Sequence, residues 1–167
     1  MNTIRIIGID PGIVITGFCI LDFFKSTTRL VAYGAIRPLK KDRIEKRLMH
    51  LHDEVSSIIS KFSPTIMAME DSFYSKNVKS AVTLGQARSV IMLSGAKSDI
   101  DIYEFAPRKI KQSICGNGSA TKEQVQYMVS QILNLKELPK PIDITDAMAV
   151  GLCFINNYQI YDLSSKR

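Results

Sequence analysis

The order of strand-like and helix-like segments predicts an α/β domain with a five-stranded mixed sheet flanked by helices on both faces. Three extended apolar segments come first, with connections too short to hold a helix, which is typical of antiparallel strands. Two further extended segments each follow a helical one, and the helix before the fourth segment is typical of a crossover to a parallel strand. The 167 residues predict one domain at residues 1–157, with a flexible tail at 158–167.

The first four strands and the first helix follow from local patterns. Strands are predicted at residues 3–10, 16–21, 29–37 and 65–69 from their apolar composition. A helix is predicted at residues 41–62, where apolar residues recur with helical spacing. Because this helix crosses over between the strands, the fourth strand should lie parallel to the first.

The second half of the chain continues the alternation. The remaining elements are a helix at residues 80–97, a strand at 100–105, and helices at 107–114, at 121–133 and from Asp143 onward. Thr121 and Gln124 have the spacing of a capping box, which marks a helix start. Pro141 discourages a helix before Asp143.

The composition and the cysteine content indicate the cellular compartment of the protein. Apolar residues make up 46% of the chain, and no run approaches the ~18 apolar residues that cross a bilayer. The N-terminal residues lack the layout of a signal peptide, so we expect a cytoplasmic protein. Cys19, Cys115 and Cys153 are far apart and lack metal-ligand spacing, which is typical of free thiols in a reducing compartment.

The charge balance fits a polyanionic partner such as DNA. The net charge is +6, from 22 basic and 16 acidic residues, although such charges also occur on ordinary solvated surfaces. Many of the basic residues fall between residues 71 and 122. The candidate contacts to such a polyanion among them are Lys79, Arg88, Lys109, Lys111 and Lys122.

Four acidic residues occupy positions that together suggest a metal site. Asp10 and Glu70 each end a strand of the predicted parallel pair, and ligands gather at such strand ends. Asp143 and Asp146 lie three residues apart at a helix start and therefore share one face. Each acid alone is better explained as a turn or capping residue. Carboxylates that converge, however, repel one another unless a cation such as Mg²⁺ neutralises them.

The same acids belong to a longer ordered set of motifs. The set is Ile9-Asp10-Pro11-Gly12, Thr16-Gly17, Met69-Glu70 with Phe73, Leu84-Gly85-Gln86-Ala87-Arg88, Gly116-Asn117-Gly118-Ser119-Ala120-x-Lys122 and Asp143-x-x-Asp146-Ala147. In this order the motifs resemble the RuvC family of crossover-junction endodeoxyribonucleases, or Holliday junction resolvases. The resemblance covers about residues 4 to 155.

The resemblance implies an RNase H-like fold and paired nicks in a four-way DNA junction. It implies catalytic and metal-binding roles for Asp10, Glu70, Asp143 and Asp146, without deciding which aspartate of the last pair lies closer to the metal. Mg²⁺ is the implied cofactor, with Mn²⁺ as a substitute, and two metal ions can activate a water and stabilise the leaving oxygen of a phosphodiester. Lys122 would contact the phosphate or transition state.

The resemblance also implies partners. A homodimer would form through the helix at residues 80–97, whose apolar residues are not confined to one stripe and whose Gly85 and Ser89 permit close helix approach. Coupling to a branch-migration helicase is left open.

Further DNA contacts are implied for Phe73, Lys111 and Lys122. Phe73 stands in a polar loop beside the acids, where stacking on an unpaired base would explain an exposed hydrophobic side chain. Packing onto the core would explain Phe73 equally well, and Tyr74 fits either role. Lys122 directly follows the Thr121 cap, where the helix dipole disfavours a cation unless a phosphate binds there too.

Three residues depart from the family pattern without removing a proposed ligand. Ser89 stands in place of a glycine on the predicted dimer helix, and Ile13 in place of a small or polar residue after Gly12. Asp71 stands where glutamine is frequent, and its charge could join the site or weaken DNA approach.

Other functions fit parts of the pattern. An RNase H-like nuclease acting on RNA or hybrids would show no preference for four-way junctions over duplex. A non-catalytic junction-binding protein would keep the basic face without metal-dependent nicking. An actin-like ATPase fits less well, because the chain is too short for a two-lobed ATP cleft.

Overall fold

Five strands and five helices make up the part of the chain that this computed structural model describes, residues 3–71 and 77–164, with side chains up to residue 158. In chain order they are β1 (Ile4–Asp10), β2 (Thr16–Phe24), β3 (Thr27–Ile36), α1 (Ile44–Phe62), β4 (Ile66–Glu70), α2 (Val78–Ala96), β5 (Asp101–Phe105), α3 (Pro107–Cys115), α4 (Lys122–Ile132) and α5 (Asp143–Ser164). The predicted alternation of strands and helices is confirmed.

The strands form one mixed sheet in the order β3-β2-β1-β4-β5. The pairs β1–β2 and β2–β3 are antiparallel, which confirms the predicted meander. The pair β1–β4 is parallel, which confirms the orientation predicted for strands joined through a helix, and the pair β4–β5 is parallel too. The central position of β1 places its carboxyl end between antiparallel and parallel neighbours.

Helices cover both faces of the sheet. One apolar cluster joins α1 and α2 to one face through side chains such as Leu51, Ile91 and Met67. A second cluster joins α3, α4 and α5 to the other face through side chains such as Ile110 and Met148. Alternate residues of β1 point to opposite clusters, as the pleat of a strand requires.

Several boundaries differ from the prediction for identifiable reasons. The strand β2 continues past Asp22, because this residue pairs with Arg29 on β3 and its carboxylate accepts hydrogen bonds from Arg5. Lys25 and Ser26 have positive φ angles of 45° and 66°, so they form the tight turn of the β2–β3 hairpin.

The last helix is longer than the sequence suggested. The sequence predicted a domain at residues 1–157 and a flexible tail at 158–167, and the helix α5 extends over Asp143–Ser164. Aromatic packing extends along this helix, since the ring centroids of Phe154 and Tyr158 are 6.0 Å apart and those of Phe154 and Tyr103 are 4.9 Å apart.

Two expectations about composition can be compared with the fold. Cys19 and Cys153 are buried, Cys115 is half-buried, and all three are free thiols. Within the described ranges, no helix is long and apolar enough to cross a lipid bilayer.

Candidate active site

The pairing of β1 with β4 brings Asp10 and Glu70 to the same edge of the sheet. The last residues paired in register are Ile9 and Met69, and the two acids follow them directly. Because Ile9 and Met69 both point into the cluster under α1 and α2, the pleat directs Asp10 and Glu70 to the opposite face, where α5 lies. The structure thus brings these two predicted site residues together.

The start of α5 lies directly on the ends of β1 and β2. Gly17 pairs with Asp10 across the antiparallel ladder, and a Cβ atom on Gly17 would overlap the carbonyl oxygen of Asp143. A Cβ atom on Gly8 would likewise overlap the carbonyl oxygen of Ala147. The two glycines therefore allow the close approach that carries Asp143 and Asp146 to the strand ends. Glycine inside an apolar strand was the available sequence signal for this approach.

The acids act on one another electrostatically. Burial, followed by the charges of Asp146, Glu70 and Asp143, raises the pKa of Asp10 to about 8, although the charge of Lys122 opposes the rise. Burial, then the charge of Asp146, raises the pKa of Glu70. Asp146 thus influences both strand-end acids. It is the more central member of the pair that the sequence left undecided.

Lys122 is the positive partner of this acidic cluster. It is the first residue of α4, whose capping box is confirmed by reciprocal hydrogen bonds between Thr121 and Gln124. Its Nζ lies 2.8 Å from Oδ2 of Asp146. Burial lowers the pKa of Lys122, but the hydrogen bond to Asp146 and the charges of the acids outweigh burial and raise it. Lys122 therefore remains a cation.

A cleft of about 180 Å³ opens beside these groups. It is lined by Glu70, Pro107, Ile110, Lys111, Lys122, Val125, Asp146 and Ala149. The lining thus combines two acids, Glu70 and Asp146, with two lysines, Lys111 and Lys122, so a phosphodiester and a cation could both be held there.

The carboxylate oxygens of the four acids are ligands that suit a hard divalent cation, although the acids do not surround a common metal position. No three His, Cys, Asp or Glu side chains within residues 3–71 and 77–158 are close enough to enclose a metal ion. Oxygen donors from clustered, mutually repelling carboxylates are nevertheless the ligands that Mg²⁺ prefers. Because Asp146 already accepts a hydrogen bond from Lys122, a metal ion bound by Asp146 would have to share this carboxylate with Lys122 or displace the lysine.

The other predicted DNA contacts are distributed around the cleft. Lys111 lines it, Lys109 is exposed on the same helix, α3, and Lys79 is exposed near the start of α2. Phe73 and Tyr74 lie outside the described residues.

The structure corrects the assignment of Arg88 as a DNA contact. Its side chain is only 4% exposed, and its guanidinium donates hydrogen bonds to the carboxylates of Asp71 and Glu104. Its position in a basic stretch of sequence suggested exposure, but the packing of α2 on the sheet turns this residue inward. No periodic pattern indicated Asp71 and Glu104 as partners of Arg88.

The three residues that depart from the family pattern each make a defined contact in the structure. Ile13 packs against the core, and its carbonyl oxygen accepts a 2.7 Å hydrogen bond from Nη2 of Arg47. Ser89 is exposed, and its hydroxyl donates to the carbonyl oxygen of Gly85 at 2.9 Å. Asp71 faces Arg88.

Comparison with known proteins gives this geometry a family. A family model described as Crossover junction endodeoxyribonuclease RuvC matches residues 6–154 of the chain. The chain belongs to the RuvC family. This membership confirms the resemblance noted from the motifs, and with it a metal-dependent nuclease of the RNase H-like fold.

Relatives in the family match nearly end to end. A RuvC from Halothermothrix orenii is 42% identical over 155 residues, which are 93% of this chain and 94% of the relative. A RuvC from Caldicellulosiruptor saccharolyticus is 45% identical over 152 residues, 90% of this chain and 92% of the relative. The solved structure of Thermus thermophilus RuvC in complex with a Holliday junction substrate has a TM-score of 0.89 at 27% identity, and covers 94% of this chain and 96% of that one.

Proposed function

We propose that this chain resolves four-way DNA junctions by hydrolysing one phosphodiester bond in each of two strands. The observation that carries the proposal is the electrostatic coupling of Asp10 to Glu70 and Asp146 at one edge of the sheet, where Lys122 pairs with Asp146. Membership of the RuvC family supports the reaction class. A RuvC solved with a Holliday junction substrate supports the class of DNA.

Asp10, Glu70, Asp143 and Asp146 are the residues we propose as metal ligands and catalytic groups. We propose Mg²⁺ as the cofactor, two ions per site, with Mn²⁺ able to replace it. When bound, such ions lower the pKa of a water nucleophile and stabilise charge on the leaving oxygen. The mutual repulsion of the acids supports this assignment, because a divalent cation relieves it.

Basic residues around the cleft would hold the DNA backbone. Lys122 and Lys111 both line the cleft with Glu70, so a phosphate entering it meets two ammonium groups close to the acids. Lys122 also stands at the start of α4, where the helix dipole favours an anion. Lys79 and Lys109 would contact phosphates further out. Phe73, with Tyr74 beside it, would stack on an unpaired base at the junction.

We propose that the protein acts as a homodimer through α2. Apolar side chains on one side of this helix are exposed, namely Val78, Val82 and Leu93 at 80%, 56% and 53%. A Cβ atom on Gly85 would meet no atom within 4 Å, so a neighbouring helix can approach closely there. A two-fold dimer would place two active sites on one junction, which symmetric cleavage requires.

The cellular setting follows from the substrate. Four-way junctions between homologous arms move by branch migration, so a branch-migration helicase is the partner class we propose for presenting them. We place the protein in the cytoplasm, where bacterial DNA lies.

Cleavage of a synthetic four-way junction, compared with a matched linear duplex, tests the proposal. Each DNA is incubated with the protein in Mg²⁺, Mn²⁺ or EDTA. We expect paired nicks near the junction centre with either metal and none in EDTA. Equal cleavage of the linear duplex would contradict the substrate. Tight junction binding without cleavage in any metal would contradict the enzymatic role and favour a binding protein.

A further inference from the structure

Arg88 is a buried cation without a part in the mechanism proposed above. Its Nη1 donates to Oδ1 of Asp71 at 3.0 Å, and its Nη2 donates to Oε1 of Glu104. A charge that is only 4% exposed is tolerated when it is paired and hydrogen-bonded. The two carboxylates supply that pairing across three separate elements of the fold.

The partners of Arg88 lie on either side of Glu70. Asp71 directly follows Glu70, and its backbone N–H donates to the carbonyl oxygen of Phe105 at 2.8 Å, which continues the β4–β5 ladder. Glu104 lies on β5 opposite Met69, the residue before Glu70. The guanidinium therefore connects α2 to the end of β4 and to β5, next to the position where Glu70 lines the cleft.

We infer that Arg88 is a positioning residue of the active site, whose fork to Asp71 and Glu104 fixes the end of β4 and thereby the Glu70 carboxylate. The inference rests on the proposed function, since that function makes Glu70 a metal ligand. The planar guanidinium reaches two carboxylates in a fixed geometry, which a lysine ammonium does not reproduce. A ligand displaced by ~1 Å lowers the rate by up to ~100-fold.

The role of Arg88 also links α2 to the catalytic edge. Ala87, Arg88 and Ile91 are buried on the inner side of α2, whereas Val82 and Leu93 are exposed on its outer side. The helix proposed to contact a second copy of the chain is therefore also the helix that supports Glu70.

The substitution Arg88→Lys tests the inference, because it keeps the charge and removes the fork. The matched control is Arg43→Lys, in the exposed Arg43–Glu45 ion pair at the start of α1. Three quantities are measured: Mn²⁺ affinity by calorimetry without DNA, junction affinity in EDTA, and single-turnover cleavage at saturating junction. Circular dichroism and thermal melting establish that each variant is folded.

We expect Arg88→Lys to weaken Mn²⁺ binding about tenfold and to slow cleavage by about 10- to 100-fold. Junction affinity should stay within about twofold of the unsubstituted protein, because the Arg88 side chain is buried against Asp71 and Glu104. Arg43→Lys should match the unsubstituted protein throughout. A folded Arg88→Lys protein with normal Mn²⁺ affinity and cleavage rate would overturn the inference. So would weakened junction binding with normal Mn²⁺ affinity, because that result describes a DNA contact.

If Arg88→Lys does not fold, the substitutions Asp71→Asn and Glu104→Gln test the positioning role of Arg88 instead. Each keeps a hydrogen-bond acceptor and removes one charge partner, so each should weaken Mn²⁺ binding while preserving junction affinity. Normal Mn²⁺ binding by both variants would overturn the inference. Failure of the proposed function is distinguishable, because the unsubstituted protein would then show no metal-dependent junction cleavage in the same assays.

Discussion

Asp10 shows at the scale of one residue how folding changes the chemistry of a side chain. An aspartate in an unfolded chain is ionised at neutral pH. Burial and the neighbouring acids Asp146, Glu70 and Asp143 raise its pKa to about 8 in the folded protein. Without a cation, this raised pKa favours the protonated form of Asp10 in the folded protein at neutral pH. A metal bound as proposed would have to displace that proton.

The substitution Asp10→Asn should abolish cleavage and preserve junction binding. The substitution replaces the carboxylate by a neutral amide of the same size, which removes the negative charge proposed to bind the metal. We therefore expect at least about a 100-fold loss of nicking rate. Nicking of a labelled junction and mobility shifts in EDTA measure the two properties. Asp53→Asn, at an exposed aspartate of α1, is the control. Cleavage retained by the Asp10 variant would exclude Asp10 from the metal site.

The raised pKa of Asp10 also predicts how stability depends on pH in EDTA. Between the unfolded pKa near 4 and the folded pKa of about 8, the folded state binds a proton that the unfolded state does not. Stability should therefore fall as the pH rises through this window. Asp10→Asn should flatten the dependence and melt higher at pH 8, by about several degrees. Thermal melting from pH 5 to pH 9 measures this effect, and parallel curves for the two proteins would contradict it.

At the scale of elements, the contact between α5 and the sheet builds the site. The sheet alone brings together Asp10 and Glu70, since these follow paired residues of β1 and β4. Asp143 and Asp146 come from a segment more than a hundred positions after Asp10, and they reach the sheet only because Gly17 and Gly8 leave room for the α5 backbone.

The substitution Gly17→Ala should therefore damage the site more than a typical change of this size. The new methyl group meets the backbone of α5 at Asp143, which cannot move without shifting the helix, so we expect a stability loss of about 1–3 kcal/mol and strongly reduced cleavage. Gly34→Ala is the control, because the methyl group there meets the ring of the Phe18 side chain instead of backbone. Melting and nicking assays on both variants give the answer, and normal cleavage by Gly17→Ala would contradict the prediction.

At the scale of the whole molecule, α2 has two different sides. The inner side carries Arg88 and joins the core, and the outer side leaves Val78, Val82 and Leu93 exposed. Exposed apolar side chains in one row mark an association surface more often than single ones do. The proposed dimer would cover this row and place two clefts on one DNA junction.

The substitution Val82→Glu should separate the proposed dimer. A carboxylate buried at the centre of an apolar contact, and repeated by the two-fold axis, should weaken association by about 100-fold or more. Sedimentation or light scattering measures the mass, and a junction assay that detects both strands measures paired nicking. Met49→Glu, at a similarly exposed position of α1, should leave both unchanged. A Val82→Glu protein that remains dimeric would place the dimer contact elsewhere.

The sequence by itself determined the order of strands and helices along the chain, the meander, the parallel orientation of the first and fourth strands, and the Thr121 capping box. These features depend on periodicity, turn residues and crossover connections, which act between neighbours in the chain. The positions of the four acids at strand and helix ends were also readable, because the ends of elements are local features. The motifs in their order were enough to indicate the RuvC family.

Only the tertiary structure decided the charge state and partners of the site. It paired Lys122 with Asp146, raised the pKa of Asp10, and turned Arg88 away from solvent towards Asp71 and Glu104. It also extended α5 to Ser164. Burial and ion pairing depend on residues far apart in the chain that meet only after packing, and a linear pattern of charges does not specify those distances.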